Sequence, residues 1–479
     1  MPLSTPGPVR VRIAPSPTGE FHVGTARTSL WNWLFARQHS GAFVLRIEDT
    51  DEVRNEPQWY EGIRSALRWL ELDWDEEYLQ SDNAAAHRAA AERLYAEGRA
   101  YYCDCTPGDV ASRKPAGAPP GYDGFCRERS LPQAPGRALR FRVPDGLTVI
   151  DDVVRGRVEF DNAKLGGDFV IVKGNGGPIF YLANTIDDLD ERITHVLRGE
   201  EHLPNAPKNQ LLWEALAPAG QPPPVWAHLP NLVNEQRKKL SKRRDKTALE
   251  SYRDEGILME AIRNYVCLLG WAPGGDREYL TLEEMLAEFR LEDVNSSPAF
   301  FDVKKLASVN QHYIQAMSVE GFIKAAEPFL AAGPWTKEDF RPEVFARLAP
   351  LVQERTKLLG EVPAMIDFVF LKEPAIDEDA WTKAIETNAL APQLLGEASA
   401  AYAATDARDW VAPTLHTLTL EIGQRHGLAL GKAQAPIRVA VTGRTVGPPL
   451  FESLEVLGQQ RSIARIDAAI GRLAGMAIP

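Results

Sequence analysis

Several groups of side chains in this sequence have the types and spacing for chemistry. His22 precedes Gly24 and Thr25, just after a Pro15-Ser-Pro-Thr-Gly19 turn. An imidazole there can donate to a phosphate oxygen, and the glycine lets a nucleotide approach the backbone. Read alone, the same tetrapeptide also suits a turn with a surface histidine. Lys239 and Lys242 stand in the string Lys-Leu-Ser-Lys-Arg, with Leu240, Ser241 and Arg243. Cys103-Asp-Cys105 is followed by Cys126, and thiolates so spaced suit tetrahedral zinc or reduced, metal-free cysteines in a surface hairpin.

The elements that must position these groups are readable in order. Residues 9–14 are β-rich and predict a strand, which two prolines then stop. A helix follows Gly24, with Leu30, Trp33 and Leu34 apolar, and leaves through Ser40-Gly41. Strand, tight turn and helix N-terminus make a phosphate-binding geometry, because free amides and the helix dipole favour an anion. Neither GxGxxG nor GxxxxGK[ST] is present. Residues 43–47 read as a second strand ending in Glu48, Asp49, Thr50, Asp51 and Glu52, carboxylates that could hold an ammonium or a magnesium-bound phosphate. Helical spacing at 57–72 and 83–97 completes half of a doubly wound sheet.

Residues 137–184 predict short strands at 139–143, 147–150, 157–160, 168–172 and 179–182. A strand at 193–197 delivers Arg198-Gly-Glu-Glu-His202, and a helix at 207–217 and a strand at 225–229 lead to Lys239. Helices are expected at 251–271 and 281–290, and from about 316 the text is helical only, as at 344–359 and 414–426.

Composition bounds the reading. The 479 residues, 44% hydrophobic and 25% charged, suit a soluble protein of about three domains. No run approaches a membrane span, and the N-terminal MPLSTPGPVR does not read as a signal peptide. Four cysteines argue against a disulfide framework and for a cytoplasmic setting. A net charge of −12 counts against a uniformly basic nucleic-acid binder, yet local basic text surrounds Leu240-Ser241.

The longer string RIAPSPTGEFHVGT resembles the first signature of class I aminoacyl-tRNA synthetases, as found in glutamyl- and glutaminyl-tRNA synthetases. The 239–243 string resembles the second, KMSKS-like signature. With Arg46-Ile-Glu-Asp-Thr-Asp51 and Arg198-Gly-Glu-Glu-His202, nearly the whole chain is similar to a bacterial-type glutamyl-tRNA synthetase.

The resemblance implies a multidomain α/β plus all-α fold. It comprises a Rossmann-type catalytic domain in two halves (1–100 and 191–245), an inserted acceptor-binding domain (101–190), a stem-contact domain (246–315) and a helical anticodon-binding region (316–479). It implies ATP, Mg2+, L-glutamate and tRNA(Glu) as partners, and a monomer. Pro15, Gly19, His22, Gly24, Thr25, Lys239, Leu240, Ser241, Lys242 and Arg243 would hold ATP, with His22, Lys239 and Lys242 catalytic. Thr25 stands where the signature more often ends in histidine. Arg12, Ala14, Ser16, Glu48, Phe180, Asn184 and Arg198 would line the glutamate site. Arg12 and Arg198 are planar forks for carboxylates, and Glu48 is the partner for the ammonium.

Relatives often carry Tyr at the position of Phe180. Tyr181 is adjacent, but strand alternation would turn it to the other face. For zinc, relatives use CxC with CxH or with YxxxC. Glu128 replaces the CxH histidine here, and Tyr122 fits the second pattern, giving Cys103, Cys105, Tyr122 and Cys126. Arg355 matches the position where an arginine reads the third anticodon base in enzymes restricted to tRNA(Glu).

Overall fold

The computed structural model describes residues 7–51, 53–115 and 121–476. Glu52, the N-terminal residues 1–6 and part of the loose 113–121 segment lie outside the described residues. The chain forms two units: residues up to Tyr252 with Ile262–Val303, and Arg253–Ala261 with the chain from Lys304 onward. The 246–315 segment therefore contributes to both.

In the first unit, β1 (Arg10–Ile13), α1 (Val23–Gln38), β2 (Ala42–Ile47), α2 (Pro57–Trp69) and β3 (Glu76–Leu79) build a parallel sheet of order β1-β2-β3. Val11, Phe43, Val44, Leu45 and Ile47 are fully buried, as expected for parallel strands covered on both faces. The left-handed residue after α1 is Ser40 (φ 50°), not the glycine the sequence suggests. Gly41 serves close approach instead, since a Cβ there would lie 2.3 Å from the Val9 carbonyl oxygen. β3 carries an acidic, half-exposed sequence with no apolar alternation, so only its pairing with β2 reveals it.

After α3 (Ala84–Ala96), β4 (Ala100–Cys103), α4 (Pro107–Arg113), β5 (Ala138–Phe141) and β8 (Val170–Val172) form a small sheet in which β4 and β8 flank β5 antiparallel. Between β5 and β8 run β6 (Leu147–Asp152) and β7 (Gly156–Asp161). These two were expected within one antiparallel insertion. Instead the hairpin continues another sheet, order β7-β6-β10-β9, with β9 (His195–Gly199) and β10 (Val225–Leu229) parallel.

Residues 179–182, expected as a strand, begin α5 (Phe180–Asp190). Their apolar run is equally compatible with either state, and burial against α6 (Ala206–Leu216) decides it. β11 (Leu232–Val233) pairs with β12 (Ala299–Phe300).

The expected helix 251–271 is interrupted. It becomes Leu249–Asp254 and Met259–Cys267, broken at Gly256 (φ +91°), where a Cβ would lie 2.5 Å from the Leu359 amide. The second unit is helical, from Val303–Ala316 to Gln459–Met476. No described helix is long and apolar enough to cross a membrane.

Candidate active site

His22 caps α1 in an extended conformation, and its Nδ1 accepts the Gly24 amide at 2.9 Å. The Val23 amide donates to the Thr247 carbonyl at 2.9 Å. Two amides expected to be free for an anion are thus already used. What remains is the ring. With Nδ1 accepting, Nε2 carries the proton. Burial, then Lys242 and Lys239, push its pKa from 6.5 down to about 4, so the imidazole is a neutral donor.

The same backbone contacts join the two distant motifs. His22 forms a bridge with Ala248, and the Leu249 amide donates to the Phe21 carbonyl at 2.8 Å. The 239–243 string returns from β11, with the Leu240 amide on the Leu232 carbonyl and the Ser241 amide on Asp245 Oδ2, each at 2.9 Å. Lys242 Nζ donates to the Glu20 carbonyl at 2.9 Å, and a Cβ on Gly19 would come within 2.8 Å of that ammonium. Lys239 pairs with Glu201 at 3.2 Å, both side chains about half exposed. Such an exposed pair is weak, so Lys239 can exchange its partner for a phosphate.

The cleft has a volume of about 400 Å3, and His22, Gly24, Thr25, Lys239, Leu240, Ser241 and Lys242 line it together with Pro15. Arg12, Ala14, Glu48, Phe180, Asn184 and Arg198 line the same cleft. Ser16, Gly19 and Arg243 are not among the lining residues, and Ser16 and Arg243 are exposed.

One stripe of α5 and its C-terminal cap supports the cleft: Phe180 and Asn184 line it, and the acids that follow hold Arg12 and Arg46. Residues 180, 184, 187, 188 and 191 recur at helical spacing. Arg12 donates through Nε and Nη2 to the two oxygens of Asp188, at 3.0 and 3.3 Å. Arg46, fully buried, donates through Nη1 to Asp188 and Glu191 at 2.8 Å and lies 3.4 Å from Glu48. Asn184 Nδ2 donates to Glu48 at 2.8 Å. Burial raises the Glu48 pKa against the opposing pull of Arg46 and Arg12.

Arg198 donates through Nε to His228 Nε2 at 3.1 Å, and His228 Nδ1 lies 2.6 Å from Asp152. Its guanidinium sits 5.0 Å from the Trp226 ring centroid. Arg198 Nη1, Asn184 Oδ1 and His202 Nδ1 are buried without a partner among the described residues. They belong to lining residues and leave one cationic donor, one acceptor and one imidazole nitrogen unsatisfied. Phe180 stacks on His202 at 5.6 Å. Tyr181 is directed elsewhere, its hydroxyl 3.3 Å from Lys208 Nζ, because successive helical residues diverge by about 100°.

Residues 8–308 match the family model described as the class I tRNA synthetase (E and Q) catalytic domain, and residues 321–470 match an anticodon binding domain. The chain belongs to the class I glutamyl- and glutaminyl-tRNA synthetase family. It is 55% identical to a glutamate–tRNA ligase of Salinispora arenicola over 97% of this chain and 99% of that protein. It is also 55% identical to one of Frankia casuarinae, over 98% and 99%. A crystal structure of a glutamate tRNA ligase from Elizabethkingia meningosepticum in complex with its amino acid superposes with a TM-score of 0.80. That protein is 31% identical, and the match covers 98% of this chain and all of that one.

Within this synthetase, Cys103, Cys105 and Cys126 bring their sulfurs within 4.8 Å of one another, Cys105 and Cys126 at 3.4 Å. Tetrahedral zinc with bonds of ~2.3 Å separates sulfurs by about 3.8 Å, so small adjustments admit it. The Tyr122 hydroxyl lies 3.5 Å from Cys103 Sγ and accepts the Cys126 amide at 2.7 Å. Arg113 and Arg129 donate to Cys105 and Cys126 at 3.3 and 3.2 Å, which would offset thiolate charge. Glu128 points elsewhere, pairing with Arg142 at 3.1 Å.

In the second unit Arg355 is exposed, just past the helix Pro342–Gln353. Its positive charge, after burial, helps lower the pKa of Arg438 on the helix Leu430–Thr442. Arg438 had no sequence signal of its own, and neither had Asp188. Asp188 acquires its place from Arg12 and Arg46, far away in sequence, whereas Arg438 donates to the nearby Pro448 carbonyl at 2.8 Å.

Proposed function

We propose that this protein activates L-glutamate with ATP and transfers the glutamyl group to the 3′ end of tRNA(Glu), releasing pyrophosphate and AMP. The observation that carries this reading is the single cleft lined by His22 and Lys242 together with Arg12, Glu48 and Arg198. The amino-acid carboxylate attacks the α-phosphorus, pyrophosphate leaves, and a terminal ribose hydroxyl then displaces AMP from the adenylate. Phosphoryl transfer of this kind depends on positioning and charge neutralisation.

His22 Nε2–H donates to a phosphate oxygen. Lys239 and Lys242 neutralise the departing pyrophosphate, and Mg2+ accompanies the nucleotide. Glu48 and Asn184 Oδ1 take the ammonium of glutamate. Arg12 and Arg198 take carboxylates, and His202 supplies the hydrogen bond that Phe180 lacks. Zinc, where bound, is held by Cys103, Cys105, Cys126 and Tyr122 and staples the loop after β4. Arg355 restricts charging to tRNA(Glu). The enzyme acts as a cytoplasmic monomer.

Two measurements test this reading. ATP–pyrophosphate exchange is expected with glutamate and not glutamine, and only when tRNA is present. Charging of purified tRNA(Glu) and tRNA(Gln) side by side should favour tRNA(Glu), and Arg355→Gln should narrow the difference. Binding of tRNA without any exchange would overturn the enzymatic assignment.

A further inference from the structure

The second unit contains a cavity of about 1000 Å3, lined in part by Arg461, Arg465 and Arg472. They stand on one stripe of the helix Gln459–Met476, spaced four and seven residues apart. Like charges at this spacing repel, so the stripe needs compensation. For two of the three no carboxylate forms a close ion pair, and Asp367 and Glu373 favour the Arg465 charge only through space. Arg461 spends both amino groups on the Val369 and Leu371 carbonyls, each at 2.7 Å. Arg465 spends its own on the Val441 and Leu371 carbonyls at 2.8 Å and on Lys372 at 3.3 Å. Among the described residues neither pairs with an acid, and the acids lining the cavity are exposed.

Two buried donors of the lining also lack acceptors. They are Nε of Arg465 and the indole Nε1 of Trp381, in side chains 6% and 1% exposed. A buried unpaired donor costs free energy, and here both defects have the same sign. The walls supply apolar surface from Phe370, Ile376 and Trp381, and Arg472 already stacks 4.1 Å from the Trp381 ring centroid. Unpaired positive charge, orphan donors and an aromatic wall together select an acceptor-rich, planar anion. The volume is at the upper end of the ~300–1,000 Å3 usual for organic ligands.

The cavity is separate from the arginine pair already described. Ala440 lines it, whereas Arg438, two residues earlier on the same helix, is turned about 200° away. We infer that this cavity is a binding site for a small aromatic anion, a carboxylate, sulfonate or phosphate ester, held against Trp381 and Arg465.

The test uses the full chain and 8-anilinonaphthalene-1-sulfonate. One saturable site is expected, with a shift of the Trp381 indole N–H resonance on binding. Trp381→Phe should remove that resonance and weaken binding severalfold. Ala468→Trp, a change at an exposed lining position, should fill the cavity and weaken binding at least tenfold while tRNA charging stays unchanged. Benzoate should displace the dye and tRNA(Glu) should not. Unchanged dye binding in Ala468→Trp, absence of a saturable site, a static Trp381 resonance, or displacement by tRNA(Glu) would each overturn the inference.

Discussion

The Nδ1 of His22 accepts the amide proton of Gly24 at 2.9 Å, which commits the other ring nitrogen to donation. The imidazole is therefore expected to stay neutral, as the Nε2–H tautomer, far below the ordinary histidine range. Imidazole 15N shifts should give a midpoint near 4. The unfolded side chain takes its proton near 6.5 and the folded one resists until about 4, so stability falls as pH drops through that window. His22→Ala should lower exchange kcat by ~10²–10³-fold, the ~2.7–4 kcal/mol typical of one preorganised donor, with little change in the glutamate KM. A titration midpoint above 6 would contradict this arrangement.

Asp188 holds two cations that face different tasks. Its oxygens orient Arg12 toward the cleft and anchor Arg46, which in turn sits against Glu48. Asp188→Asn keeps the shape and removes the charge. Breaking a buried pair from one side costs ~3–5 kcal/mol, so urea unfolding should show a loss of that order. The glutamate KM should rise at least tenfold, because Arg12 and Glu48 lose their positions together, while the ATP KM changes far less. Equal effects on both substrates would show that Asp188 supports the fold alone.

His202 stacks on Phe180 at the cleft. Burial and Arg198 push its pKa down to about 4, and its Nδ1 is buried without a partner beside the Phe180 ring. His202→Phe is expected to raise the glutamate KM about tenfold, the worth of one hydrogen bond of ~1–1.5 kcal/mol. Adding Phe180→Tyr in that background should restore much of the loss. Steady-state charging kinetics of His202→Phe, Phe180→Tyr and the double variant decide the point, and additive losses would exclude the proposed role of His202.

The cysteine cluster makes a separate prediction. Protein purified without chelator should contain one equivalent of zinc by atomic emission. Cys126→Ser should lose it, and Tm should fall without loss of ATP or glutamate binding. Stoichiometric free thiols and no metal in the native protein would leave the cluster as ordinary reduced cysteines.

Much of the molecule was legible because its signals are local. The Pro-Ser-Pro-Thr-Gly turn, the start of α1 near His22 and the helical spacing of the second unit depend on neighbours a few residues apart. The thiolate spacing at Cys103 and Cys105 was equally visible, and so were the basic residues around Leu240.

Other features needed long-range partners. Residues 179–182 are apolar enough for a strand or a helix, and burial of α5 beside α6 selects the helix. The hairpin of β6 and β7 reads as antiparallel from sequence, but only the Trp226–Asp152 register places it on the sheet of β9 and β10. The Gly24 amide looked free because the ring that occupies it turns back only in three dimensions. Arg12 and Arg198 were visible as forks. Their anchors, Asp188 and His228, lie 176 and 30 residues away in sequence. Sequence alone determined which chemistry the side chains could perform, since that depends on residue type and short-range geometry. Tertiary structure decided which groups remain free to perform it, because buried charges and donors must find partners wherever the fold brings them.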